Sequence, residues 1–370
     1  MALPEAAVVE SEQSTVLERA GRAYADGRFA DCRALLAQHL EAQADDHDAR
    51  TLLAEPELLA GDYAAGLQHY ESRWLTERFQ PYRRPFAQPL WQGEPLGRQT
   101  LLITPEQALG EAVMFSRFAP LLLHLHPMAH IVLEVQQRAA ALLGHSFQNA
   151  RRLRVIATLD RAGSNLPPFD LQVPLCSLPH RLQMKAENIP AAEAYLYAPE
   201  ARRVAPDGSL AIGLSWRSIN PQSGKSRSLP LPELARMLQQ PGVRLVNLQY
   251  GESQRDQEEL LRKEGITLAN PEGVALVGDL TEVADLAAGC DLVVCIDNTL
   301  AHLGAALGRP TWVLLPHAPS WRWHLEREDS PWYPTARLFR QPTRGDWQAP
   351  LVELRSALLD LLTERGKAAP

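Results

Sequence analysis

The residues with the clearest chemical potential lie in the run Asp297-Asn298-Thr299-Leu300-Ala301-His302, which follows an apolar stretch ending at Ile296. A strand that hands over to a helix at Thr299 leaves several backbone N–H groups free at the helix start. Such groups, at the positive end of the helix dipole, make an anion site. Asn298 or Thr299 can cap the helix or donate to a phosphate, and His302, one turn further on, can face the same ligand. The same residue types also allow a plainer reading, in which Asp297 and Asn298 only cap the helix and His302 is a core histidine. Lys225 and Arg227 stand in a polar loop after a strand ending near Trp216. Two cations there suit a diphosphate, Arg as a fork and Lys as a point charge, or else they decorate the surface. Glu111 closes the loop Glu106-Gln-Ala-Leu-Gly-Glu111 between a strand and a helix. It is either a carboxylate facing a cleft, able to take a proton, or a solvated acid in the first turn of a helix.

Other tempting motifs fail on spacing. Ser223-Gly-Lys-Ser226 lacks the glycine five positions before its Gly-Lys pair, where Ile219 stands, and Pro230 and Pro232 follow where a phosphate loop needs a long helix. Gly213-Leu-Ser-Trp-Arg217 has Arg217 in place of the closing glycine of a hydrolase elbow. His124 and His126 have no third ligand nearby, and Asp46 and Asp48 fall in a polar loop, so no metal site is expected. Cys32, Cys176, Cys290 and Cys295 are scattered among apolar residues and read as buried free thiols.

The elements that must position these residues fall into three groups. Gly27-Arg-Phe29-Ala30 and Gly61-Asp-Tyr63-Ala64 are 34 residues apart, which is the tetratricopeptide period, and Thr15 with Glu18 can form a capping box. Two helix–turn–helix units are therefore expected over 1–78, with Pro56 kinking the second; a generic helical hairpin is the alternative. After a connector rich in Pro, Arg and Trp (Pro81 to Gly97), strands at Thr100–Thr104 and His130–Val135 flank an apolar helix at Ala112–Leu125. The segment Ala198–Gly208 reads as a linker. Strands at Leu210–Trp216, Val243–Gln249, Asp291–Ile296 and Thr311–Leu315 follow, with a helix at Thr299–Leu307 and an amphipathic closing helix at Leu351–Arg365. The expected architecture is α/β: lobes at 79–200 and 201–347, both doubly wound, with a closing helix and tail at 348–370. Ligands of such sheets sit outside the carboxyl ends of the strands.

A length of 370 residues exceeds one ordinary core, and 45% apolar with 22% charged residues is a globular balance. The net charge of -7 without basic runs argues against nucleic-acid binding. No long apolar stretch and no leader-like start are seen, so a cytoplasmic protein without stable membrane insertion is expected.

Taken in order, several pieces resemble bacterial tetratricopeptide-containing glycosyltransferases whose catalytic part is similar to the lipopolysaccharide heptosyltransferases. They are Leu90-Trp-Gln-Gly93, the Glu106–Glu111 loop, Ile212–Arg217, Arg227–Pro230, Val246–Gly251, Asp297–His302, Trp321–Trp323, Asp329–Pro334, Arg337–Gln341 and Gly345–Trp347. The resemblance implies a GT-B fold and an inverting, metal-independent transfer from a nucleotide-diphosphate sugar, with no cofactor besides that donor. It assigns Lys225, Arg227, Trp216, Gln249, Asp297, Asn298, Thr299 and His302 to the donor and makes Glu111 the general base. The family usually has glycine at Ala108 and aspartate at Glu111. The resemblance points to a protein hydroxyl as acceptor, in flagellin or another surface protein, presented by the helical region. A lipopolysaccharide-core acceptor, or a catalytically silent repeat-based binding module, are the alternatives. The donor pocket is expected wholly between the two α/β lobes. Five of the eight tryptophans fall between Trp312 and Trp347, where packing of the closing helix against both lobes is expected ahead of sugar stacking.

Overall fold

The structure, a computed structural model, describes residues 15–159, 166–221, 223–270 and 276–368. Four helices come first: α1 (Val16–Ala25), α2 (Phe29–Ala42), α3 (His47–Leu59) and α4 (Tyr63–Tyr70). The Thr15 hydroxyl accepts the Glu18 N–H and the Glu18 carboxylate accepts the Thr15 N–H, closing the expected capping box. The helices pack as two hairpins, α1 on α2 and α3 on α4. Gly27 and Gly61 take the same place in each turn, with φ of 75° and 86°. A Cβ on Gly27 would lie 2.2 Å from His317 Nε2, so this turn abuts the far end of the chain directly. The segment stays helical through Pro56 to Leu59. Two 3₁₀ turns, Glu71–Leu75 and Glu77–Tyr82, lead out.

The next group comprises β1 (Thr100–Thr104), α5 (Leu109–Phe115), α6 (Phe118–Leu125), β2 (His130–Val135), α7 (Gln137–Ser146), β3 (Leu153–Ala157), β4 (Leu171–Pro174) and α8 (Leu178–Arg181). Its sheet is parallel, in the order β3-β2-β1-β4. The single helix expected at Ala112–Leu125 is two helices. Pro120 has no N–H for the Ser116 carbonyl, and Ser116 Oγ and Arg117 Nε instead bond the carbonyls of Val113 and Met114. Arg117 then reaches away from the helix to the Trp332 carbonyl and the Tyr195 hydroxyl.

The last group comprises β5 (Leu210–Ser215), α9 (Gly224–Arg227), α10 (Leu231–Leu238), β6 (Val243–Asn247), α11 (Gln254–Glu264), α12 (Leu280–Gly289), β7 (Leu292–Ile296), α13 (Thr299–Ala306), β8 (Thr311–Leu315), β9 (Ala336–Arg340) and α14 (Gln348–Ala368). The sheet is again parallel, in the order β6-β5-β7-β8-β9. Strands β5, β7 and β8 are buried along their whole length, as their unbroken apolar runs require of a sheet covered on both faces. Between the two sheets, Glu200 and Arg202 of the Ala198–Gly208 stretch are laid on α12, their N–H groups bonding the Asp285 carboxylate and carbonyl.

In each sheet the first strand is flanked by the strands that follow it on opposite sides. β1 lies between β2 and β4, and β5 lies between β6 and β7. Crossovers leaving in opposite directions open a crevice at the carboxyl ends of β1, β5 and β7. The loops that start there are Glu106–Glu111, the one carrying Lys225 and Arg227, and Asp297–Asn298.

The tryptophan cluster packs differently from the expectation. Trp321, Trp323 and Trp332 share a core with Tyr63 of α4 and Phe115 of α5; the centroids of Tyr63 and Trp321 lie 6.3 Å apart and those of Phe115 and Trp332 6.0 Å apart. Their large rings fill the junction of helical region and both sheets. The closing helix α14 uses Leu351, Leu354 and Leu358 against the core of the second sheet, with Trp347 partly buried beside them. All four cysteines are buried and free. Among the described residues no helix is long and apolar enough to cross a membrane, and no group of three His, Cys, Asp or Glu could hold a metal ion.

Candidate active site

The crevice is a cleft of about 1420 Å³. Its described lining carries Arg78, Arg138, Arg217, Lys225, Arg227, Arg322 and Arg344 against Glu55, Glu111 and Asp297. Seven cations face three carboxylates, in a chain whose net charge is -7. A concave surface of one sign inside a protein of the opposite sign selects its ligand by charge, and here that ligand is an anion.

On the second-sheet side, Asn298 caps α13. Its Oδ1 accepts the Leu300 N–H at 3.0 Å and its Nδ2 donates to Ser215 Oγ at 2.8 Å. These bonds tie the helix start to the end of β5 and occupy the Asn298 side chain, so the free N–H groups of the first turn and Thr299 remain to meet a ligand. Asp297 is buried behind them. It pairs with Arg227, Nη1 to Oδ2 3.2 Å, and accepts the Trp323 indole N–H at 2.8 Å. Burial alone would raise its proton affinity; the Arg227 guanidinium and the indole donor outweigh it and hold the carboxyl below its ordinary range. Asp297 is thus the counter-ion that fixes Arg227.

His302 lies under the same helix start, with Nδ1 3.0 Å from the Tyr333 hydroxyl and its ring stacked on Trp323, centroids 5.4 Å apart. Burial pushes its pKa down to about 3, against the opposing pull of Asp297. The ring is therefore neutral at any physiological pH and offers a ligand one hydrogen bond rather than a charge.

Lys225 and Arg227 share the one-turn helix α9. Lys225 is exposed at the cleft wall and makes no ion pair with a described residue, whereas Arg227 is half-buried on Asp297. Trp216 and Gln249, expected as donor contacts, are buried and are not among the residues that line the cleft. The Gln249 carboxamide is buried and accepts the N–H groups of Trp216 and Arg217, each at 2.9 Å, while donating to the Arg217 and Tyr250 carbonyls. The Trp216 indole donates to Asp256 at 3.0 Å. Both residues shape the loop after β5 from behind.

Glu111 faces this group from the first turn of α5. Its Oε1 accepts from Arg322 Nη2 at 3.0 Å. Burial opposes the charge of Arg322, but Glu111 and its acidic neighbours hold the guanidinium above its ordinary value. A Cβ on Gly110 would lie 3.1 Å from His302 Cδ2 and 3.9 Å from Thr299 Cα, so the starts of α5 and α13 meet here without a side chain between them. The structure thus brings Glu111, Lys225, Arg227, Asp297, Asn298, Thr299 and His302 to one cleft. Glu106, in the same loop, is fully buried and held by Arg73, Nε and Nη2 each 3.0 Å from a carboxylate oxygen, and by the Cys176 N–H.

The cleft is not confined to the two α/β lobes, contrary to the expectation. Tyr24 and Ala25 of α1 and Leu52 and Glu55 of α3 form part of its wall. The Tyr24 hydroxyl donates to the Pro319 carbonyl at 2.8 Å, and Tyr63 Oη lies 2.9 Å from His324 Nε2, so the helical region is fastened onto the second-sheet side. Arg322 lay inside a recognised stretch, Trp321–Trp323, yet its type alone could not say that it faces Glu111. Glu55 gave no signal, because a glutamate on a helix is ordinarily a solvated one.

Residues 231–340 match the family described as Glycosyltransferase family 9 (heptosyltransferase). The chain is similar to Protein FlbA of Caulobacter vibrioides, 30% identical over 322 residues that cover 82% of this chain and 53% of that protein. It spans about half the length of this curated relative. Its fold is similar to the crystal structure of a family 9 glycosyl transferase from Veillonella parvula, with a TM-score of 0.51 at 12% identity, covering 73% of this chain and 98% of that one. A weaker likeness, TM-score 0.44 at 13% identity over 69% of this chain and 98% of the other, is to E. coli heptosyltransferase WaaC with ADP. The match to the glycosyltransferase family 9 (heptosyltransferase) model thus lies in the half of the chain that carries the second sheet, and the likeness to the Veillonella parvula structure is one of fold, α/β with parallel sheets.

Proposed function

We propose that this chain is an inverting glycosyltransferase that moves a sugar from a nucleotide-diphosphate donor to a protein hydroxyl, in a surface protein such as flagellin. The observation that carries the reading is the cationic cleft between two parallel sheets, with a helix start on one side and a carboxylate on the other. The donor diphosphate lies against Lys225, Arg227 and the first turn of α13, where Thr299 and neutral His302 add hydrogen bonds. Those cations balance the charge that grows on the leaving diphosphate, a part that a bound metal ion plays in other transferases. Glu111 takes the proton of the acceptor hydroxyl as its oxygen attacks the anomeric carbon. The bond from that carbon to the phosphate oxygen breaks, and the nucleoside diphosphate leaves from the opposite face. Arg322 orients Glu111 through one carboxylate oxygen. The residues of α1 and α3 in the cleft wall, Tyr24, Ala25, Leu52 and Glu55, support a polypeptide acceptor delivered from that side, as a repeat-like docking element.

A thermal-shift panel of ADP-, UDP- and GDP-sugars tests the donor. One of them at about 100 times its dissociation constant should stabilise the fold by about 2.7 kcal/mol. No shift with any nucleotide sugar at millimolar concentration would refute a nucleotide-sugar site.

A further inference from the structure

Among the described cleft carboxylates, Glu55 is the one that the proposed donor site does not use. Helix α3 places it against the 3₁₀ turn Trp321–Trp323, whose Trp321 N–H is its backbone donor. It is half-buried in the cleft wall, and it forms no ion pair with a described residue. Asp297 and Glu111, by contrast, each hold an arginine. Arg322 is the strongest charged influence on Glu55 and is itself paired to Glu111, so two carboxylates from different parts of the chain flank one guanidinium. Burial pushes the Glu55 carboxyl above its ordinary range. A half-buried carboxylate that holds no ion pair of its own among the described residues is costly. Such a group in a cleft is there for a ligand.

The chemistry of that ligand follows from the charges. A diphosphate would be repelled by Glu55 and has its own cations at α9. A neutral peptide N–H is a donor that a carboxylate accepts well. We propose that Glu55 is an acceptor-binding residue, supplied by the helical region, whose carboxylate receives a backbone N–H of the acceptor polypeptide beside the hydroxyl that is to be glycosylated, leaving that hydroxyl's own proton to Glu111. Tyr24, Ala25 and Leu52 form the rest of this subsite wall. The inference rests on the transferase reading above and adds to it where the acceptor lies and what recognises it.

The test uses the full chain, a radiolabelled form of the sugar nucleotide that binds, and a library of nine-residue peptides with one central Ser or Thr. With the best peptide, Glu55→Gln should raise KM for the peptide about tenfold or more, with a smaller fall in kcat. The affinity for the matching nucleoside diphosphate, by isothermal titration, should stay within about twofold, since Glu55 makes no donor contact. Glu55→Asp should recover part of the KM. Ala25→Leu, which crowds the same wall and carries no charge to pair with Glu55, should act on peptide KM in the same direction and keeps the test alive if the first variant is unstable. An unchanged peptide KM in Glu55→Gln and in Ala25→Leu overturns the proposal, and so does a parallel loss of nucleotide affinity. A wild-type chain that binds nucleotide sugar but labels no peptide refutes the polypeptide acceptor itself, and this subsite with it.

Discussion

Lys225 and Arg227 are two positions apart on one turn of helix, yet their surroundings make their substitutions different experiments. Lys225 is an exposed point charge at the cleft wall, so Lys225→Ala should weaken nucleoside diphosphate binding about tenfold and leave stability unchanged. Arg227 is also the partner of buried Asp297, at 3.2 Å. Arg227→Ala should weaken binding and cost roughly 2 kcal/mol of stability, because the Asp297 carboxylate would keep only the Trp323 indole as a donor. Isothermal titration and chemical denaturation of the two variants read this split; equal stability loss in both would contradict it. The sequence made both cations visible by type and by their place after a strand. It could not show the pairing of Arg227 with a residue 70 positions away, which is a property of the fold. Trp216 and Gln249 show the converse limit. They fall in stretches that resemble a known family, but residue type does not distinguish a group that touches ligand from one that holds the loop behind it, and here both do the second.

At the scale of elements, the alternation of apolar runs and helices was enough to place β1, β2 and β5 to β8, since a parallel sheet covered on both faces writes itself as apolar stretches, whereas β3, β4 and β9, which carry Arg or Gln among their apolar residues, were not placed. The break between α5 and α6 has a signal in the sequence, Pro120, but Arg117 leaving the helix there for partners 78 and 215 residues away was hidden. The join between the helical region and the first sheet was hidden for the same reason. Arg73, on the turn after α4, and Glu106, after β1, are both fully buried and share two hydrogen bonds of 3.0 Å. Arg73 also donates to Ser177 at 2.9 Å. Glu106 begins the loop that ends at Glu111, so this pair sets where the loop starts. Removing one partner of such a pair strands the other charge out of water, and Arg73→Met should cost roughly 3–5 kcal/mol in denaturant unfolding. The double variant with Glu106→Gln should recover part of that loss, because the orphaned charge is then gone. A loss under about 1 kcal/mol in Arg73→Met would mean that the pair does not join the two elements.

Across the whole molecule the cleft has three walls, and the third one changes how the chain must be divided. The sequence separated a helical region from a two-lobed α/β part, which follows from period and composition. It put the pocket between the lobes alone because no local pattern reveals that α1 and α3 reach into it. Tyr24, Leu52 and Glu55 line the cleft, and Leu58, Leu59, Tyr63 and Leu67 belong to the same core as the first sheet. Removing residues 1–78 would therefore open that core and strand Glu106, so single substitutions such as those at Glu55 and Ala25 separate docking from folding more cleanly. The central claim is that this composite cleft transfers a sugar with Glu111 as the proton acceptor. It is tested most directly by comparing nucleoside diphosphate release by wild type and Glu111→Gln, with the donor and peptide found above, alongside nucleoside diphosphate affinity by isothermal titration. The account predicts that turnover falls about 10²–10⁴-fold while affinity stays within about twofold; wild-type turnover in Glu111→Gln would contradict it.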